Sequence, residues 1–144
     1  MVLGCSELQA NYLSDAQKAT LIEQAKQVRL LAYAPYSSFL VGAALIDENG
    51  AVHAGCNVEN ASYGLAICAE RTAASAMIAA GGKQIKGVAV VSTGGVTPCG
   101  ACRQFLSEFA GDCDVVGVNA DTDEIKVWRL ADLLPGAFSS TDLD

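Results

Sequence analysis

The sequence predicts an α/β domain of three layers, one mixed five-stranded sheet with helices on both faces. Three observations carry this reading. Segments with helical periodicity alternate with β-branched runs along the chain. An apolar strand, a helix and another apolar strand follow one another between Val88 and Val118, which calls for a right-handed crossover and a parallel pair. Finally, Asp47-Glu48-Asn49-Gly50 is a strong turn signal between two apolar segments, so an antiparallel hairpin joins that parallel core. The 144 residues fall within the ~100 to 200 of a single domain, so residues 1–144 are read as one unit with flexible ends at 1–13 and 139–144.

Ser14 with Gln17 three residues later forms a capping box, and Leu21, Ala25, Val28 and Ala32 then recur at helical spacing until Pro35 stops the run. Phe39 to Ile46 and Ala51 to Val58 are the two hairpin strands. Leu65 to Ala80 is Ala-rich, closed by Gly81-Gly82, and apolar or small on nearly every side from Thr72 onward, which predicts a helix buried all round. Lys86 to Ser92 is a β-branched strand, and Pro98 to Phe109 reads as a helix with proline in its first turn. Strands from Asp114 to Asn119 and Glu124 to Arg129 follow, and a short helix around Ala131 to Leu134 ends the pattern.

Composition narrows the function. The chain is 51% hydrophobic and only 17% charged, against a typical ~25%, which argues against disorder and leaves surface for other subunits to cover. Its formal charge of −7 repels nucleic acids and anionic membranes, so a small-molecule partner is expected. The longest uncharged runs are interrupted by Pro35 and by Thr93-Gly94-Gly95, so neither spans a bilayer. No basic region or apolar stretch of ~7 to 15 residues makes a secretory signal of the start, and the expected compartment is the reducing cytoplasm.

Six cysteines are too few for a disulfide scaffold, and three of them are arranged for chemistry. Cys68-Ala69-Glu70 lies near the start of the second long helix, and Pro98-Cys99-Gly100-Ala101-Cys102 opens the third. Thiols at helix N-termini are more easily ionised, as zinc ligands must be, and three ligands with one open position is the pattern of a catalytic zinc. Arg71 and Arg103, each beside a ligand, are expected to donate to the sulfurs and offset the excess thiolate charge. Glu70, two residues from a ligand, can reach a water at the metal. Rival readings are a zinc closed by His53 or Cys56, and a thioredoxin-like Cys99/Cys102 dithiol, which leaves Cys68-Ala69-Glu70 unexplained. For His53 itself a surface imidazole is the ordinary expectation, and for Cys5, Cys56 and Cys113 a structural role is.

Cys-Ala-Glu-Arg followed by Pro-Cys-Gly-Ala-Cys-Arg-Gln resembles the three-cysteine class of cytidine deaminases. Phe39, the segment Asn57-Val58-Glu59-Asn60-Ala61-Ser62-Tyr63 and the tail Leu133 to Phe138 extend the likeness over nearly the whole chain. Zinc deaminases as a class join such ligation to a glutamate that is not a ligand. The resemblance implies a cytidine deaminase-like fold and zinc-dependent hydrolytic deamination of cytidine and 2′-deoxycytidine to the uridines and ammonia, in pyrimidine salvage. It implies that Cys68, Cys99 and Cys102 hold Zn²⁺, that Glu70 is the catalytic acid and base, and that Phe39, Asn57, Glu59, Ala61, Tyr63, Ala69 and Phe138 contact the nucleoside. It also implies a homotetramer with shared active sites. A deaminase of the same fold acting on another aminopyrimidine, such as blasticidin S, is the nearest alternative.

Overall fold

The computed structural model describes residues 12–144. Its elements are α1 (Asp15–Arg29), β1 (Val41–Asp47), β2 (Val52–Cys56), a 3₁₀ turn (Tyr63–Leu65), α2 (Ala69–Ala79), β3 (Ile85–Ser92), α3 (Gly100–Phe109), β4 (Asp114–Asn119), β5 (Ile125–Arg129) and the short α4 (Leu130–Leu133). The five strands form one sheet in the order β2-β1-β3-β4-β5. Only β3 and β4 pair in parallel, Gly87 opposite Asp114 through Ser92 opposite Asn119, and the other neighbours are antiparallel. The expected mixed sheet and hairpin are both present.

Alternate residues of the central strands feed two cores. Ala43, Leu45, Val88, Val90 and Val115 face α2 and α3, where Ala73, Met77 and Leu106 meet them. Ala44, Ile46, Ala89, Val91, Val116 and Val118 face α1, against Leu21 and Ala25. Strands buried on both faces read as continuous apolar runs, which is why β1 and β3 show so little alternation. Glycines set how closely the outer layers approach. A Cβ on Gly55 would lie 2.4 Å from the Ala73 backbone nitrogen, so only glycine there lets α2 rest directly on β2.

The first capping box forms as expected: Gln17 N–H donates to Ser14 Oγ at 3.1 Å and Ser14 N–H to Gln17 Oε1 at 2.9 Å. The second long helix differs from its reading in its start and in its burial. Residues 66–68 are extended rather than helical, because Ile67 and Val58 exchange backbone hydrogen bonds across a bridge, and Cys68 becomes the N-cap of α2. Nor is α2 buried all round within one chain, since Ser75, Ala76 and Ile78 are exposed. Pro98 stands one residue ahead of the α3 cap, Cys99, instead of inside the first turn. His53 is drawn inward by the buried Asp47, 2.8 Å away, and is not a surface imidazole. At the ends, Leu13 is buried with its N–H on Asp114 at 2.9 Å, the Tyr12 ring lies under the Arg129 guanidinium, and Ser140–Leu143 form a 3₁₀ turn; residues 1–11 of the expected flexible start lie outside the described residues.

Candidate active site

Two helix starts meet at one point. Cys68 caps α2 and Cys99 caps α3, both in extended backbone conformations and neither with a side-chain capping bond, so their sulfurs stand where a serine or aspartate would ordinarily sit. Cys102, buried in the first turn of α3, completes a trio whose sulfurs lie within 4.8 Å of one another, Cys68 to Cys99 being 4.0 Å. Thiolates about 2.3 Å from a tetrahedral zinc stand about 3.8 Å apart, so this spacing needs little adjustment to hold one.

The charge state of the sulfurs points the same way. The hydrogen bond shared with Cys102 is the largest influence on the Cys68 thiol, burial opposes it, and Arg71 and Cys99 help to bring it down to about 5. Cys102 moves in the opposite direction, held protonated by that shared bond and by burial. One thiolate forms readily and the next resists, as like charges at this distance must, until a divalent cation sits between them. Neither His53 nor Cys56 belongs to this cluster, and His53 is engaged with Asp47 instead.

The two arginines part company. Arg71 Nη2 lies 3.5 Å from the Cys68 sulfur, as expected, and its Nε is buried without a partner. Arg103 does not reach the sulfurs. Its Nε donates to Pro98 O at 2.8 Å, Nη1 to Leu133 O at 2.9 Å and Nη2 to Thr97 Oγ1 at 2.9 Å, because carbonyl and hydroxyl oxygens are better acceptors than sulfur. It braces the loop in front of Cys99 against the C-terminal segment.

A cavity of about 260 Å³, on the scale of a small molecule, opens over Cys68 and Cys99. Cys68, Ala69, Glu70 and Cys99 line it together with Phe39, Asn57 and Glu59, and Val41, Ala66, Ile67, Val90, Val96 and Thr97 complete the wall. Glu70 is only 4% exposed, and burial pushes its carboxyl above the usual carboxylate range. Asn57 is braced by accepting from Val41 N–H and donating to Phe39 O, each at 2.8 Å, which leaves it one amide hydrogen for a ligand. Ala61, Tyr63 and Phe138 do not line this cavity. All three are exposed, with Tyr63 edge-on to Tyr36 and the Phe138 carbonyl held by Gln104 Nε2 at 2.9 Å. Ser37, absent from the sequence reading, holds Glu59 in place; nothing local marks it, since the two are far apart in the chain.

Residues 15–118 match the model of the cytidine and deoxycytidylate deaminase zinc-binding region. The chain belongs to this deaminase family. It is 46% identical over 125 residues to a cytidine deaminase of Sporosarcina psychrophila, covering 85% of this chain and 92% of that one. A cytidine deaminase of Halalkalibacterium halodurans is also 46% identical, over 126 residues, with 86% and 96% covered. In three dimensions the crystal structure of a cytidine deaminase from Burkholderia pseudomallei superposes with a TM-score of 0.79 at 48% identity, covering 88% of this chain and all of that one. The mixed five-stranded fold is thus that of the deaminase family, the chain is a zinc-dependent hydrolase, and Cys68, Cys99 and Cys102 form a cluster that could hold a metal ion.

Proposed function

We propose that the chain deaminates cytidine and 2′-deoxycytidine hydrolytically, giving the corresponding uridines and ammonia, within pyrimidine salvage. The observation that carries this is the convergence of the buried Glu70 with Cys68 and Cys99 on one wall of a small cavity that Asn57 and Glu59 also line, with the Cys102 sulfur clustered behind them. Cys68, Cys99 and Cys102 are the residues that would hold zinc, and a zinc ion so held supplies the Lewis acidity that brings the pKa of water from 15.7 toward about 7.

The remaining work falls to side chains. Glu70, whose carboxyl is pushed upward by burial, takes a proton from the attacking water and delivers it to N3 of the pyrimidine as the oxygen bonds to C4. It then takes the remaining proton of the new C4 hydroxyl and gives it to the amino group, so that the C4–N bond breaks, ammonia leaves and the C4 carbonyl forms. Arg71 steadies the negative charge on the Cys68 sulfur. Asn57 offers its free N–H and Glu59 a carboxylate lone pair to the sugar hydroxyls, while Phe39 and Ala69 pack on the nucleoside. A cavity that binds sugar through a carboxylate disfavours a phosphate beside it, so the free nucleoside is the substrate and a nucleic acid is not.

The working form is a homotetramer in which Ala61, Tyr63 and Phe138 act on the cavities of neighbouring subunits. Support comes from their exposure in the single chain and from the open face of small residues on α2. Among the described residues no helix is long and apolar enough to cross a membrane. The cytoplasm is the proposed compartment, because three ligand thiols must stay reduced. The test is ammonia release together with loss of cytidine absorbance by purified protein, with cytidine monophosphate, cytosine and blasticidin S alongside. Cytidine and deoxycytidine should turn over and the other three should not; faster turnover of any of those three would overturn the assignment.

A further inference from the structure

We propose that Ser37 is the positioning residue through which the cavity recognises the sugar hydroxyls, acting on substrate by holding Glu59. The inference rests on the reading of Glu59 as a sugar ligand and adds the residue that makes it one.

Glu59 lies beyond β2 on an extended segment and lines the cavity. Its carboxylate is gripped by a single dipeptide. Tyr36 N–H donates to Oε1 at 2.9 Å, Ser37 N–H donates to the same oxygen at 3.1 Å, and the Ser37 hydroxyl donates to Oε2. An ionised carboxylate offers about four acceptor positions, so three donors leave about one, and it is on the oxygen that Ser37 alone restrains.

The direction of the Ser37 bond is fixed by its other partner. Phe39 N–H donates to Ser37 Oγ at 3.0 Å, so that oxygen is already an acceptor and its one proton goes to Glu59. The return of the chain from Ser37 to Phe39 requires Ser38 at φ +58°, a left-handed conformation that few non-glycine residues adopt. One hydroxyl thereby fixes both the carboxylate that meets the sugar and the backbone of the aromatic ring beside it. The same bond is the largest of the influences that hold the Glu59 carboxyl below the usual carboxylate range, so the group meets substrate as an acceptor.

The experiment compares cytidine with 2′,3′-dideoxycytidine, which lacks the two ring hydroxyls proposed to donate to Glu59 and keeps the one at C5′. Ser37→Ala should raise KM for cytidine about tenfold, the worth of one hydrogen bond, with kcat within about threefold. The inhibition constant of dideoxycytidine should move less than about twofold by the same argument, since its 2′ and 3′ hydroxyls are already absent. The near-isosteric pair Ser37→Thr and Ser37→Val repeats the comparison without a cavity: threonine should restore the KM and valine should not. An equal loss on both ligands, or a valine variant as good as threonine, overturns the proposal. Glu59→Gln locates the failure. If it shows a loss confined to cytidine while Ser37→Ala shows none, only the role of Ser37 falls; if it shows no such loss, the sugar reading of Glu59 falls and the proposal with it.

Discussion

Arg71 lies one turn along α2 from Cys68 and places Nη2 3.5 Å from its sulfur, a charged contact made inside a single helix. Three thiolates around a dication carry a net charge of −1, and this guanidinium is the positive group nearest at hand. Arg71→Gln should therefore keep one equivalent of zinc while losing about 10- to 100-fold in kcat, the usual cost of removing a partner that supports a metal ligand. Arg103→Gln breaks contacts to Pro98, Thr97 and Leu133 instead, so its main effect should be a lower Tm. Metal analysis, kcat and Tm on the two variants check this, and equal losses of kcat would contradict the division of labour.

Glu70→Gln preserves shape but cannot shuttle a proton. Turnover should drop by about 10⁴-fold, the upper end for general acid-base catalysis, because the same carboxyl serves several transfers. Zinc content and Tm should stay near those of the parent. A variant that retains near-normal turnover would remove Glu70 from the mechanism.

How much of this could be read from the chain depends on the range of each interaction. The Ser14/Gln17 box and the paired Cys99 and Cys102 are local, and both appear in the structure as read. Residues 66–68 suit a helix by composition, yet Ile67 is claimed by Val58 across a bridge, and a tertiary bond overrides weak propensity. Arg103 looked equivalent to Arg71 by its place beside a ligand, but one of its acceptors, Leu133, arrives from a distant element. The hold of Ser37 on Glu59 is missed for the same reason, as is the pairing that draws His53 inward to Asp47.

The site also depends on how closely α2 is seated. At Gly55 a Cβ would stand 2.4 Å from Ala73 N and 2.8 Å from Thr72 C, both backbone atoms that cannot swing aside. Gly55→Ala should cost about 1 to 3 kcal/mol, as overpacking does, and should lower kcat as well because Cys68 and Glu70 ride on the displaced helix. Thermal unfolding and steady-state kinetics on one preparation test both halves; an unchanged Tm would mean that the layers yield without cost.

Asp47 links the hairpin turn to β2 and predicts a response to acid. The His53 bond lowers its pKa most, and backbone N–H groups of Ala51 and Asn49 add to this against the opposing effect of burial, so the folded value lies below the 3.8 of the free carboxyl. A carboxyl depressed on folding stabilises above its unfolded pKa and loses that contribution as pH falls through the folded one. Asp47→Asn should therefore lower Tm at neutral pH, and the gap from the parent should narrow only below about pH 4. A gap that is constant from pH 7 to pH 3 would show that the charge of Asp47 contributes nothing.

Phe138 supplies the sharpest test of assembly. It is 57% exposed and does not line the cavity of its own chain, its carbonyl is fixed by Gln104, and the small-residue face of α2 is open for a neighbour to approach closely. If Phe138 closes the cavity of another subunit, the species in solution at micromolar concentration must be larger than one chain, a tetramer in the proposed form, and sedimentation at 14.8 kDa would end the idea. Co-expression of Glu70→Gln with Phe138→Ala then decides which chain each cavity draws upon. Mixed tetramers would include cavities with an intact Glu70 from one chain and an intact Phe138 from another, so activity should rise above that of either parent. Were Phe138 to act within its own chain, every cavity would carry one defect whatever the mixture, and no rise could occur.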